Sequence, residues 1–112
     1  YDTEGLKTQK AREDLAKERI YSILPDDQKT ELTALFDEFE ANETPEARFA
    51  HAMDNFQPLL LNNSNDGGDW KEHHVTAKKV YGRQSKTKLG SEAIYEVTDQ
   101  ILQNHIKKGN LK

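Results

Sequence analysis

Apolar residues recur at helical spacing along most of the chain, and nowhere do they alternate with a period of two. The pattern predicts helices and no sheet. A first helix covers about residues 7–24, where Ala16, Ile20, Ile23 and Leu24 follow the i, i+4, i+7, i+8 spacing of one narrow face. Pro25 ends it, because the residue before a proline is pushed away from helical dihedrals. Asp26 or Asp27 is then placed to cap the next helix. That second helix, about residues 28–41, carries Leu32, Leu35, Phe36 and Phe39 on one face and acids on the others.

The third helix is announced by Thr44 as N-cap, Pro45 at the first helical position, where no N–H is needed, and Glu46 near the positive helix end. It runs from Pro45 to about Leu61 with Phe49, Ala50, Met53, Phe56 and Leu60 as its apolar stripe. Pro58 lies inside it and removes the donor to the Asp54 carbonyl, which predicts a kink or local loosening next to Asp54. Residues 62–69 are all turn formers and read as an exposed loop, pinned at its far end by Trp70. Residues 76–81 read as a short helix and 82–90 as a basic, loop-like connector with Arg83, Lys86 and Lys88. A last helix, about residues 91–108, places Ile94, Val97 and Ile101 on one face and ends in Lys107-Lys108-Gly109. No internal repeat interrupts this series, and the predicted fold class is an all-α helical bundle.

Composition narrows the possibilities. A length of 112 residues fits one modest domain. Hydrophobic residues make up 34% and charged residues 32%, so much of the helical surface must face water or a partner. The longest strongly apolar run, Leu59-Leu60-Leu61, is far short of the roughly 20 residues that span a bilayer, so no membrane association is expected. The start lacks the basic and apolar regions of a signal peptide, and the absence of cysteine fits an intracellular protein, so a cytoplasmic location is expected. A net charge of −4 provides no field to attract a nucleic acid polymer. Any metal would have to bind through His, Asp or Glu.

Phosphate loops, GxGxxG, GxSxG and HExxH are all missing. What stands out is the third helix, where Glu46, Ala50, Met53 and Gln57 share one face, with Asp54 at its edge and His51 further round. Asp54 has two readings on these grounds: a ligand for a divalent cation, or an ordinary boundary carboxylate. Gln57 reads as a hydrogen-bonded structural group or a substrate contact. His73 and His74, beside Glu72, are adjacent and diverge, which favours solvated histidines over a shared metal. Arg83, Lys86 and Lys88 have only Tyr81 interleaved as an aromatic, which favours a solvated connector over a nucleic-acid platform.

Taken in order, Glu13-x-x-Ala16, Ile23-Leu24-Pro25, Phe36-Asp37-Glu38-Phe39-Glu40, Thr44-Pro45-Glu46-Ala47-Arg48-Phe49-Ala50, Ala52-Met53-Asp54, Phe56-Gln57-Pro58 and Gly68-Asp69-Trp70 form a series. It resembles the C-terminal half of the HD-domain metal-dependent phosphohydrolases, in the small bacterial branch similar to 5′-deoxynucleotidases. The match covers about residues 12–75 and, more weakly, the last helix through Gly109-Asn110-Leu111-Lys112. The resemblance implies an all-α bundle whose metal is held by an early His, a His-Asp pair and a late Asp, and the late Asp matches Asp54. It further implies a divalent ion of the Mn, Co, Mg or Zn class that binds phosphate oxygens and activates water, and a small phosphorylated substrate such as a nucleotide. Glu46 and Gln57 become candidates to orient the ligands by hydrogen bonds.

One departure accompanies the resemblance. The sequence has no His-Asp dipeptide, and His51, His73, His74 and His105 do not stand at the family's ligand positions. The expectation is that residues 1–112 form a single helical segment, the C-terminal portion of an HD domain, which begins after the other ligands and is inactive alone. The competing expectation is a non-catalytic interaction or dimerisation module, in which the apolar stripes of the first and last helices pack on a partner or a second copy.

Overall fold

The computed structural model describes residues 3–112. Its described residues form helices only: α1 (Thr3–Tyr21), α2 (Asp26–Ala41), α3 (Pro45–Ser64), α4 (Gly68–Glu72), α5 (Ala77–Arg83), α6 (Thr87–Gly90) and α7 (Glu92–Lys107). The chain divides into two compact units, residues up to Glu40 and Ala41–Lys112.

In the first unit a group of side chains joins α1 to α2. Lys17 Nζ lies 2.7 Å from Asp37 Oδ1 and 4.9 Å from the centroid of the Phe36 ring, and Tyr21 meets Phe36 edge-on at 6.4 Å. The hydrogen bond to Asp37 raises the Lys17 pKa. The apolar stripes expected to be buried here are not. Ile20 and Ile23 are 57% and 81% exposed, Leu32 and Leu35 are exposed as well, and α2 has no buried residue. Two helices cannot cover each other's full apolar stripe, so part of it stays open.

In the second unit the elements start where their caps dictate. Thr44, Thr76 and Ser91 each accept a hydrogen bond from a backbone N–H three residues on, opening α3, α5 and α7. The expected loop at 62–69 is shorter in the structure. Asn62 Nδ2 donates to the Pro58 carbonyl and Ser64 Oγ to that of Leu61, so the side chains satisfy the last turn and α3 runs to Ser64. The connector 82–90 is likewise not an open loop. Thr87–Gly90 is a helical turn against α3, with Gln84 and Thr87 buried.

The core consists of Leu59, Trp70, Val75, Val80, Leu102 and Leu111, with Phe56, Tyr81, Ile101 and Ile106 packed against it. The buried faces of α3 and α7 are not the stripes read from apolar spacing. On α3 the buried residues are Ala47, Ala52 and Leu59, while Phe49 and Leu60 are exposed. On α7 they are Thr98, Leu102 and His105, while Val97 is exposed. The reason on α3 is a close crossing with α6. A Cβ on Gly90 would collide with the Arg48 carbonyl oxygen and lie 2.8 Å from Ala52 Cβ, so only small residues fit between the helices.

Gly90→Ala is therefore expected to destabilise the second unit by about 3 kcal/mol in urea or thermal melts, the upper end of overpacking costs. At Gly82 an added Cβ meets nothing within 4 Å, so Gly82→Ala should instead stabilise by roughly 0.5–1 kcal/mol. Equal effects at the two positions would contradict the close crossing.

Candidate functional site

Successive helical residues turn by about 100°, so Glu46, Ala50, Met53 and Gln57 fall on the side of α3 opposite Ala52 and Leu59, with Asp54 at the edge of that side. Glu46, Asp54 and Gln57 are all exposed and Met53 is half-buried. Phe49, Leu60 and Leu61 flank them and are 49%, 41% and 58% exposed. The structure thus places the three residues singled out in the sequence on one open side of one helix. The side consists of polar groups set among uncovered apolar ones.

The opposite side of α3 is fixed by groups that the sequence did not single out. Pro58 leaves the Asp54 carbonyl without its helical donor, yet α3 runs through it. The adjacent carbonyl, of Asn55, accepts from Gln84 Nε2 at 2.9 Å, and Gln84 Oε1 in turn accepts from Thr87 Oγ1 at 2.8 Å. Both side chains are buried, so this chain of bonds braces α3 directly behind Asp54 in a low-dielectric setting. The signal available in the sequence was the uncharged polar residues Gln84, Ser85 and Thr87 set among Arg83, Lys86 and Lys88.

The remaining candidates are placed as follows. His73 and His74 are exposed at the end of α4, and His74 adopts φ 49° where the chain turns. Trp70 is a core anchor, 4% exposed. Arg83, Lys86 and Lys88 are exposed. His105 is 2% exposed within the fold. Among the described residues no group of three or more His, Cys, Asp or Glu side chains is placed to hold a metal ion. Asp54 supplies one carboxylate, whereas protein metal sites use about three or more protein ligands. The described residues therefore do not by themselves make up a metal site.

A shallow cavity of about 230 Å³ lies elsewhere, between α6 and α7, lined by Lys88, Glu92, Tyr95, Glu96 and Asp99. Tyr81 donates its hydroxyl to Asp99 Oδ1 at 2.6 Å and accepts from Gln103 Nε2 at 3.0 Å. Burial, reinforced by the Asp99 carboxylate, pushes the Tyr81 phenol up to about 12.

Comparison with known proteins identifies the class. The sequence matches the family described as HD domain over residues 1–95, and the chain belongs to that family. It is similar to a solved structure from Magnetospirillum magnetotacticum MS-1, described as a predicted metal-dependent phosphohydrolase. The identity is 38% and the TM-score 0.87, over 93% of this chain and 53% of the other. The chain thus spans about half the length of that relative. No curated protein matches. The all-helical expectation holds, and no helix among the described residues is long and apolar enough to cross a membrane.

The Tyr81 pair generates a pH prediction. A phenol that is kept neutral by the fold stabilises it below the ordinary pKa of 10, and that contribution is lost as pH rises from 10 through about 12. In an ultraviolet titration of the four tyrosines, one should ionise late, and Tyr81→Phe should remove that late phase alone. A late phase that survives the substitution would place the perturbed phenol elsewhere.

Proposed function

We propose that this chain is the C-terminal part of a metal-dependent phosphohydrolase acting on nucleotides or similar phosphomonoesters, and that Asp54 is the one metal ligand it carries. The observation that carries this reading is the likeness, at 38% identity, to a protein described as a predicted metal-dependent phosphohydrolase. The open side of α3 supports it, because Asp54 sits there with Glu46 and Gln57 among uncovered apolar residues. Such a side can face further protein and a bound ion; a boundary carboxylate paired within its own fold would need neither.

In this reading the other ligands come from sequence outside these 112 residues, since the described ones provide no cluster. Glu46 precedes Asp54 by two helical turns and Gln57 follows it by three residues. On that open side they would orient ligands by hydrogen bonds. Asp54 itself contributes charge and direction, held in place by the Gln84–Thr87 brace behind it.

Asp54→Asn in the whole protein should abolish divalent-metal retention and lower metal-dependent phosphate release by at least about a hundredfold, in keeping with loss of a metal-bound nucleophile. Unchanged metal content and activity would remove Asp54 from the site. The 112-residue chain alone should release no phosphate from nucleoside monophosphates with added Mn²⁺ or Co²⁺. Robust turnover by that chain would overturn the reading that it supplies one ligand only.

A further inference from the structure

We propose that His105 is a pH-operated latch: uncharged, it holds residues 109–112 against the turn between α3 and α4, and its protonation releases them. The inference does not depend on the proposed function.

The latch is defined by its hydrogen bonds. His105 Nε2 lies 3.0 Å from Asn63 Oδ1 at the end of α3, and His105 Nδ1 lies 2.9 Å from Asn110 Nδ2. The same Asn110 nitrogen donates to the Asp66 carbonyl at 2.9 Å. An amide NH₂ has two hydrogens, so one serves Asp66 and the other points at the imidazole. Turning the amide over would set its oxygen against the Asp66 carbonyl. Nδ1 is therefore the acceptor, and Nε2 carries the proton and donates to Asn63. A second proton would have to enter at Nδ1, where an N–H already points.

The surroundings on balance disfavour the charge that would result. Trp70 of α4 covers the ring edge-on at 5.0 Å. Gly67, at φ +70°, lies beside the ring, so close that an added Cβ there would come within 3.0 Å of Nδ1. The charged groups around it are Lys108 from the end of α7, Lys71 from α4 and Asp66 from the turn. Lys108 and Lys71 bind the Asp66 carboxylate at 2.9 and 3.5 Å, so the one anion is already engaged by two cations. Burial first, then Lys108 and Lys71, lower the His105 pKa from its ordinary 6.5, against an upward pull from Asp66.

What the latch holds is specific. The N–H groups of Asn110 and Leu111 both donate to the His105 carbonyl, and Ala77, the first residue of α5, donates its N–H to the Lys112 carbonyl at 2.7 Å. Leu111 is 2% exposed and part of the core with Trp70. Loss of the Asn110 contact therefore frees Leu111 and the start of α5 together. Because the folded state disfavours the charged ring, this stability is complete above about pH 6.5 and is lost as pH falls through 6.5 toward the folded value.

Trp70 is the one tryptophan, so its emission reports the latch, and amide exchange at Ala77 and Leu111 reports the release. Between about pH 7.5 and 5, Trp70 emission should shift to the red and exchange at both amides should accelerate roughly tenfold beyond its intrinsic pH dependence, in step with the His105 imidazole signal. In His105→Gln, whose amide can donate to Asn63 and accept from Asn110, the acid-driven acceleration should vanish. Its persistence there, or His105 titration at 6.5 with both amides still protected, would overturn the proposal. Should His105→Gln fail to fold, Asn63→Asp decides on the exposed side: a carboxylate opposite Nε2 favours the charged ring within the latched state, so the acid-driven release should weaken or vanish. An unmoved transition would refute the latch.

Discussion

Helix α3 can lie against α6 only because neither Ala52 nor Gly90 brings bulk to the crossing, and most of the second unit is arranged around that fact. Where two backbones approach so closely, apolar gain comes from contact between main chains and methyl groups rather than from large side chains. The same closeness brings Gln84 within reach of the Asn55 carbonyl, so a buried polar chain through Thr87 stands where a leucine would otherwise be expected. Pro58 makes that bond useful, because the helix lacks a backbone donor one residue away. Packing, backbone hydrogen bonding and the continuity of α3 past Pro58 therefore share one origin.

The consequence for function lies on the other side of the same helix. With Ala47, Ala52 and Leu59 committed to the core, α3 presents Glu46, Asp54 and Gln57 outward, bordered by Phe49, Leu60 and Leu61. Exposed apolar residues beside a carboxylate suit a surface that meets more protein, as does the family relationship to a chain about twice as long. In our reading α3 is a two-sided strut, and the brace on its buried side aligns what its open side offers.

Helix boundaries were legible in the sequence wherever a cap set them. Thr44-Pro45-Glu46, Thr76 and Ser91 open helices as their chemistry requires, and the resemblance of the series from Glu13 to Trp70 led to the HD-domain family that the comparison bears out. The buried faces were harder to read. Apolar spacing selected Phe49, Leu60 and Val97, whereas the fold buries Ala52, Thr98, Gln84, Thr87 and His105. Three of these are explained by a neighbour distant in sequence: Gly90 for Ala52, Asn55 for Gln84, Asn63 for His105. A polar residue is buried when a partner from another element satisfies it, and single-helix periodicity contains no information about that partner. The expected loops at 62–69 and 82–90 shortened for a related reason, since side chains of Asn62 and Ser64 continue α3, and buried Gln84 and Thr87 draw α6 onto it.

The most direct test of the central claim, that the open side of α3 faces a metal through Asp54, is anomalous diffraction from crystals of the whole protein loaded with Mn²⁺. The account predicts an anomalous peak about 2.0–2.3 Å from an Asp54 carboxylate oxygen, on the side of α3 that carries Glu46 and Gln57. A fully occupied metal peak remote from Asp54 would contradict it.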